Sequence, residues 1–167
     1  MGKLFAVVAV LCMVSLVAFV VYSVQQWYDL KVGCMDLLKL AANAPDVPAA
    51  HGFLSQALEY IEANGLTEGN SAYFFHTQKN DVGIWHRQLV GAKATLETIL
   101  QRKAVGNESI VQLGKDNALM KLREVLMDGT TVTVPDNLAW FPNQQLVLLW
   151  WVATVAGCLV IFLLAIS

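Results

Sequence analysis

Two runs of 21 residues, 4–24 and 146–166, contain no Asp, Glu, Lys, Arg or His. An α-helix rises about 1.5 Å per residue, so each run reaches roughly 31 Å as a helix, the thickness of a bilayer's hydrocarbon core. No other feature of the chain restricts its fold so strongly. Aromatic residues mark the outer edges: Tyr22, Trp27 and Tyr28 follow the first run, and Trp140, Phe141, Trp150 and Trp151 surround the start of the second. Such rings favour the headgroup layer, where one end is apolar and the other wet. A cleaved signal peptide is the rival reading of the first run, but the run is longer than a usual h-region and no Ala-x-Ala site follows it. A lipid-anchor signal is the rival for the second, which lacks a small-residue triplet with a polar spacer. The sequence therefore predicts two retained transmembrane helices, in segments 1–24 and 146–167, flanking an extramembrane domain at 25–145.

That division explains the composition. The chain is 56% hydrophobic and 14% charged, against about 45–50% and about 25% for a soluble domain, and the apolar excess sits in the two runs. The middle segment holds every Lys and Arg except Lys3, ten in all, and all 13 acids, a net charge of −3. With no basic stripe, a nucleic-acid partner is not expected. No polybasic cluster flanks either run, so recognition of acidic lipids is not indicated either. Cys12 and Cys158 lie inside the runs and Cys34 stands alone between them, which excludes a disulfide framework.

Two crossings put both termini on one side. Lys3 favours a cytoplasmic N-terminus, which predicts cytoplasmic termini and an extracytoplasmic middle domain. The spans are expected to pack as neighbours, with Cys12 and Cys158 at similar depth.

The middle segment reads as helices. Trp27, Leu30, Cys34, Leu37 or Leu38, and Ala41 recur at helical spacing, so the first span is expected to continue as the first bundle helix, broken only by Gly33, until Asn43-Ala44-Pro45. Asp46 and Pro48 suit a helix start. The stripe Ala50, Phe53, Leu54, Ala57, Leu58 and Ile61 follows, and Asn64-Gly65 closes it. A third helix opens at Asn80 or Asp81 with the seam Val82, Trp85, Leu89, Ala92, Leu96 and Ile99. Gly106 ends it and Asn107 caps a fourth, whose apolar side is Ile110, Leu113, Leu119, Leu122, Val125 and Leu126. Residues 130–134 alternate as a short extended piece. The predicted fold is all-α: an up-down helical bundle between two spans. Alternating helix direction then places loop 66–80 and segment 128–145 near the bilayer surface.

Chemistry is sparse. His51, His76 and His86 have no His or Cys partner at metal-ligand spacing, and no metal or other cofactor is expected. Ser71, His76 and Asp81 make a nominal triad without a nucleophile elbow, and turn formation and capping account for them better. The most site-like stretch is Tyr73-Phe74-Phe75-His76, an apolar knot in a polar loop. Together with Trp140 and Phe141 it is the candidate contact with a partner or the membrane surface. In the second run Ala153 and Gly157 form a small-xxx-small pair suited to close helix packing.

These features predict a non-enzymatic membrane subunit that presents a helical domain to a membrane or envelope protein, with the lipid bilayer as its other partner. Self-association into a homo-oligomer is compatible with the pattern. The competing expectation is an extracytoplasmic small-ligand sensor acting through a partner protein.

Overall fold

A computed structural model describes residues 2–103 and 108–166. Among the described residues the fold is all-α, apart from one two-stranded hairpin. It divides into two units, Met1–Tyr28 with Asn143–Ser167, and Asp29–Pro142.

The first unit consists of two apolar helices. Helix α1 (Gly2–Leu30) begins in this unit, and α6 (Gln144–Ile166) lies wholly within it. On α1 the half-buried residues Ala9, Cys12, Ser15, Phe19, Tyr22 and Gln26 recur at spacings of three and four, one helical face. On α6 the half-buried residues Trp150, Thr154 and Gly157 do the same. The two faces meet antiparallel. Phe19 stands edge-on to Trp150 and Trp151, with centroids 5.1 and 5.5 Å apart. Trp150 Nε1 donates to Ser15 Oγ at 2.9 Å. Cys12 Sγ lies 3.5 Å from the place a Gly157 Cβ would occupy. The remaining faces, rich in Val and Leu, are exposed. The helix that runs on to Ala42 is long and apolar enough to cross a membrane, whereas the described apolar part of α6 is the shorter Gln144–Val160.

The second unit is a bundle-like helical domain. A five-residue π turn, Lys31–Met35, separates α1 from α2 (Asp36–Ala42). Within it the Tyr60 ring lies against Gly33, where any side chain would collide. Leu30, Cys34, Leu38 and Ala41 are buried, as the spacing anticipated, while Trp27 is exposed. Helix α3 (Val47–Ala63) starts where Asp46 accepts from Ala49 N at 2.8 Å, with Pro48 in its first turn. It stops at Asn64 and at Gly65, whose φ of 68° suits glycine. Helix α4 (Val82–Lys103) is capped by Asp81, whose Oδ1 accepts from Ile84 N at 2.8 Å. The seam from Val82 to Ile99 faces the core as its spacing predicts. Helix α5 (Glu108–Leu126) departs from expectation. Leu122 and Leu126 are buried, but Leu113 is 67% exposed and Val125 is also exposed. The apolar set wraps further round this helix than the core can cover. The Gly106 stop and Asn107 cap lie outside the described residues.

Each helix from α2 to α5 packs on the next, and α5 returns to α2. Among the described residues, two histidine–glutamate contacts link α3 and α4: His51 Nε2 lies 3.2 Å from Glu97 Oε1 and His86 Nε2 lies 3.7 Å from Glu62 Oε1. They show these helices to be antiparallel. After α5 come β1 (Met127–Asp128) and β2 (Thr131–Val132), paired antiparallel about Gly129. This hairpin includes the extended piece expected at 130–134, with its first strand formed by Met127–Asp128 just after the fourth apolar stripe.

Candidate contact surface

The loop between α3 and α4 is short of regular structure yet held at many points. Gly69 and Asn70 pair with the start of α4: Val82 N donates to Gly69 O at 2.9 Å, and Asn70 bridges Asp81. Ser71 N donates to Asn80 O at 2.9 Å. The Asn70 side chain closes a local turn, accepting from Ala72 N at 3.0 Å through Oδ1 and donating to Thr77 O through Nδ2 at 3.3 Å. A 3-10 turn, Gln78–Asn80, brings the chain back to α4.

Behind the loop lies the segment that follows the hairpin. Trp85 Nε1 donates to Thr133 O at 3.1 Å, fixing this segment to α4. Asn137, at φ 59°, turns it into a second 3-10 turn, Leu138–Trp140, whose Leu138 is buried. The loop and this segment meet at two places. The fully buried Ser71 hydroxyl donates to Asp136 O, with Asn80 O a longer acceptor at 3.3 Å. The Phe141 ring covers Gly69, 2.9 Å from where a Cβ would stand, and with φ at 105° only glycine sits there easily.

This scaffold leaves the tip in the open. Phe74 is 73% exposed and Phe75 84% exposed. Tyr73 is half-buried, 6.5 Å from the Phe74 ring, and burial pushes its phenol above the ordinary range. His76 is exposed. Trp140 and Phe141 are half-buried, Phe141 against the core. Of the candidate residues, the structure therefore joins Phe141 to the root of the loop and leaves Phe74, Phe75 and His76 projecting. In the first unit Gly157 meets Cys12 and Ala153 is exposed.

Two of the three nominal triad residues have structural duties: Ser71 binds two carbonyls, and Asp81 caps α4. His51 and His86 each face a glutamate across the α3–α4 contact. Among the described residues no group of three or more His, Cys, Asp or Glu side chains is placed to hold a metal ion.

Sequence spacing did not reveal a groove between α4 and α5. It has a volume of about 460 Å³ and is lined by residues including Gln88, Gly91, Thr95, Ala118, Lys121 and Val125. Small residues at 91, 92 and 118 leave it open. Leu113 and Met120, seven residues apart and 67% and 72% exposed, stand out on one side of α5, with the exposed Asp116 and Asn117 between them. Comparisons of the chain with protein-family models, curated proteins and solved structures found no match.

Proposed function

We propose that this chain is a non-enzymatic membrane subunit that crosses the bilayer twice, through α1 and α6, and presents its Asp29–Pro142 unit to a membrane or envelope protein. The spans are residues 4–24 and 146–166, with both termini cytoplasmic and the helical unit extracytoplasmic. The uncharged runs and the exposed Val- and Leu-rich faces of both helices support the membrane reading. A water-soluble protein rarely leaves so much contiguous apolar surface open.

The observation that carries the docking reading is the groove between α4 and α5, together with the exposed apolar side chains of Leu113 and Met120 on α5. A partner's apolar side chains would fill it. The test is purification of the full chain in mild detergent from its native membrane, with the mass of the complex measured. A stoichiometric partner that is lost in the Leu113→Glu, Met120→Glu double variant supports the proposal. A monomer that melts higher on addition of a small ligand supports the sensor reading instead. That reading draws on the same groove, whose volume falls within the usual ligand-pocket range of about 300–1,000 Å³ and whose wall carries Lys121 and Gln88.

A further inference from the structure

We propose that the Phe74–Phe75 tip is a lipid contact, its two rings inserted at the headgroup–acyl boundary of the bilayer that α6 enters. This rests on the reading of α6 as a membrane helix. The tip's exposure is built, not incidental. Bonds at Gly69, Asn70 and Ser71 fix the root of the loop, so two large apolar rings are held out rather than left loose.

The bilayer is the fitting occupant because of what braces that root. Phe141, which covers Gly69, stands three residues before Gln144, the first residue of α6. Three residues span at most about 10 Å of chain. Covalent connectivity alone thus ties the Gly69–Phe141 contact to the point where α6 begins. Interfacial apolar side chains reach roughly 5–10 Å into the headgroup–acyl boundary, and Tyr73 beside Phe74 has the amphipathic ring that suits that layer. The neighbouring charges, Glu68, Lys79 and Asp81, are mixed in sign, so the contact is apolar insertion rather than recognition of an acidic headgroup.

The test places an environment-sensitive fluorophore on Phe75→Cys, and separately on Phe74→Cys, in the full chain carrying Cys12→Ala and Cys158→Ala. Buried Cys34 is retained. Parallel probes go on Val152→Cys in α6 and Met120→Cys in α5. The protein is reconstituted in phosphatidylcholine nanodiscs containing a lipid with a nitroxide at headgroup–acyl depth. The expected result is a blue shift and loss of emission at 74, 75 and 152, little change at 120, and no dependence on added salt. Quenching at 152 without quenching at 74 or 75 overturns the lipid contact while leaving the spans intact; a protein partner then becomes the occupant to seek. Equal quenching at 120 and 75 also overturns it, because the contact is then not confined to the tip. No quenching at 152 removes the membrane reading of α6 and this inference with it.

Discussion

Gly33→Ala is a substitution that helix propensity alone would favour and that the structure opposes. Alanine is better than glycine in a helix by about 0.8–1 kcal/mol. At position 33, however, the added Cβ would lie 2.3 Å from both Cδ2 and Cε2 of Tyr60 and 3.0 Å from its Cγ. Carbon atoms prefer a separation of about 3.5–4.0 Å, and Cγ moves only if the whole side chain changes rotamer. Overpacking of this kind costs about 1–3 kcal/mol. Contact with Cγ points to the upper part of that range, so the net loss is expected to be about 1–2 kcal/mol after the propensity gain. Gly52 on α3 provides the internal control, since nothing lies within 4 Å of its added Cβ. Gly52→Ala should stabilise by about 0.5–1 kcal/mol. Denaturant unfolding of the full chain in detergent, followed by circular dichroism, measures both. Adding Tyr60→Ala should cancel most of the Gly33→Ala penalty, a coupling expected only of residues in contact. If Gly33→Ala stabilises as much as Gly52→Ala, the Tyr60 ring does not occupy that place.

Three further outcomes are expected. Leu89→Ala, at the centre of the α4 seam, should cost about 2–5 kcal/mol in the same assay; a loss under about 0.5 kcal/mol would mean that this face is not core. Ser71→Ala removes the link to Asp136 and should cost about 1–3 kcal/mol, with faster proteolysis at 72–78 as the local sign and unchanged cleavage there as the refutation. Burial pushes the Cys34 thiol from an ordinary 9.0 to about 12. The folded chain then keeps a proton that the unfolded chain releases, so this contribution is intact below about pH 9 and is lost as pH rises toward 12. Cys34→Ala should flatten that alkaline decline, and an equally steep decline in the variant would assign it elsewhere.

Local signals in the sequence were reliable where one residue type performs one backbone task. Asp46, Pro48, Gly65 and Asp81 open or close their helices as their chemistry requires. The α4 seam was legible because a regular three-four spacing selects one face, and that face meets the core. On α5 the same reasoning included Leu113, which is exposed. Periodicity identifies apolar residues on a helix but not how wide a stripe its neighbours can cover. The candidate loop was visible as an apolar knot. Its bracing was not, because the contacts of Ser71 with Asp136 and of Gly69 with Phe141 join residues 65 and 72 positions apart. Nothing local encodes such pairings. Ser71 looked like a turn former and proves to be a buried strut.

The π turn in the first long helix bears on how this chain tolerates change in its length. Asp36 N–H bonds to Lys31 O, five residues back, where an α-helix would close over four. The turn therefore contains one residue more than the path of the helix needs. Val32 sits on its exposed side. Loss of that residue would draw the segment into an ordinary α turn while leaving Leu30 and Leu38 on the faces they already occupy. A one-residue deletion elsewhere in the helix would instead rotate everything beyond it by about 100°. Among descendants of a common ancestor, 31–35 is thus the place in this helix where a length difference would pass almost unnoticed.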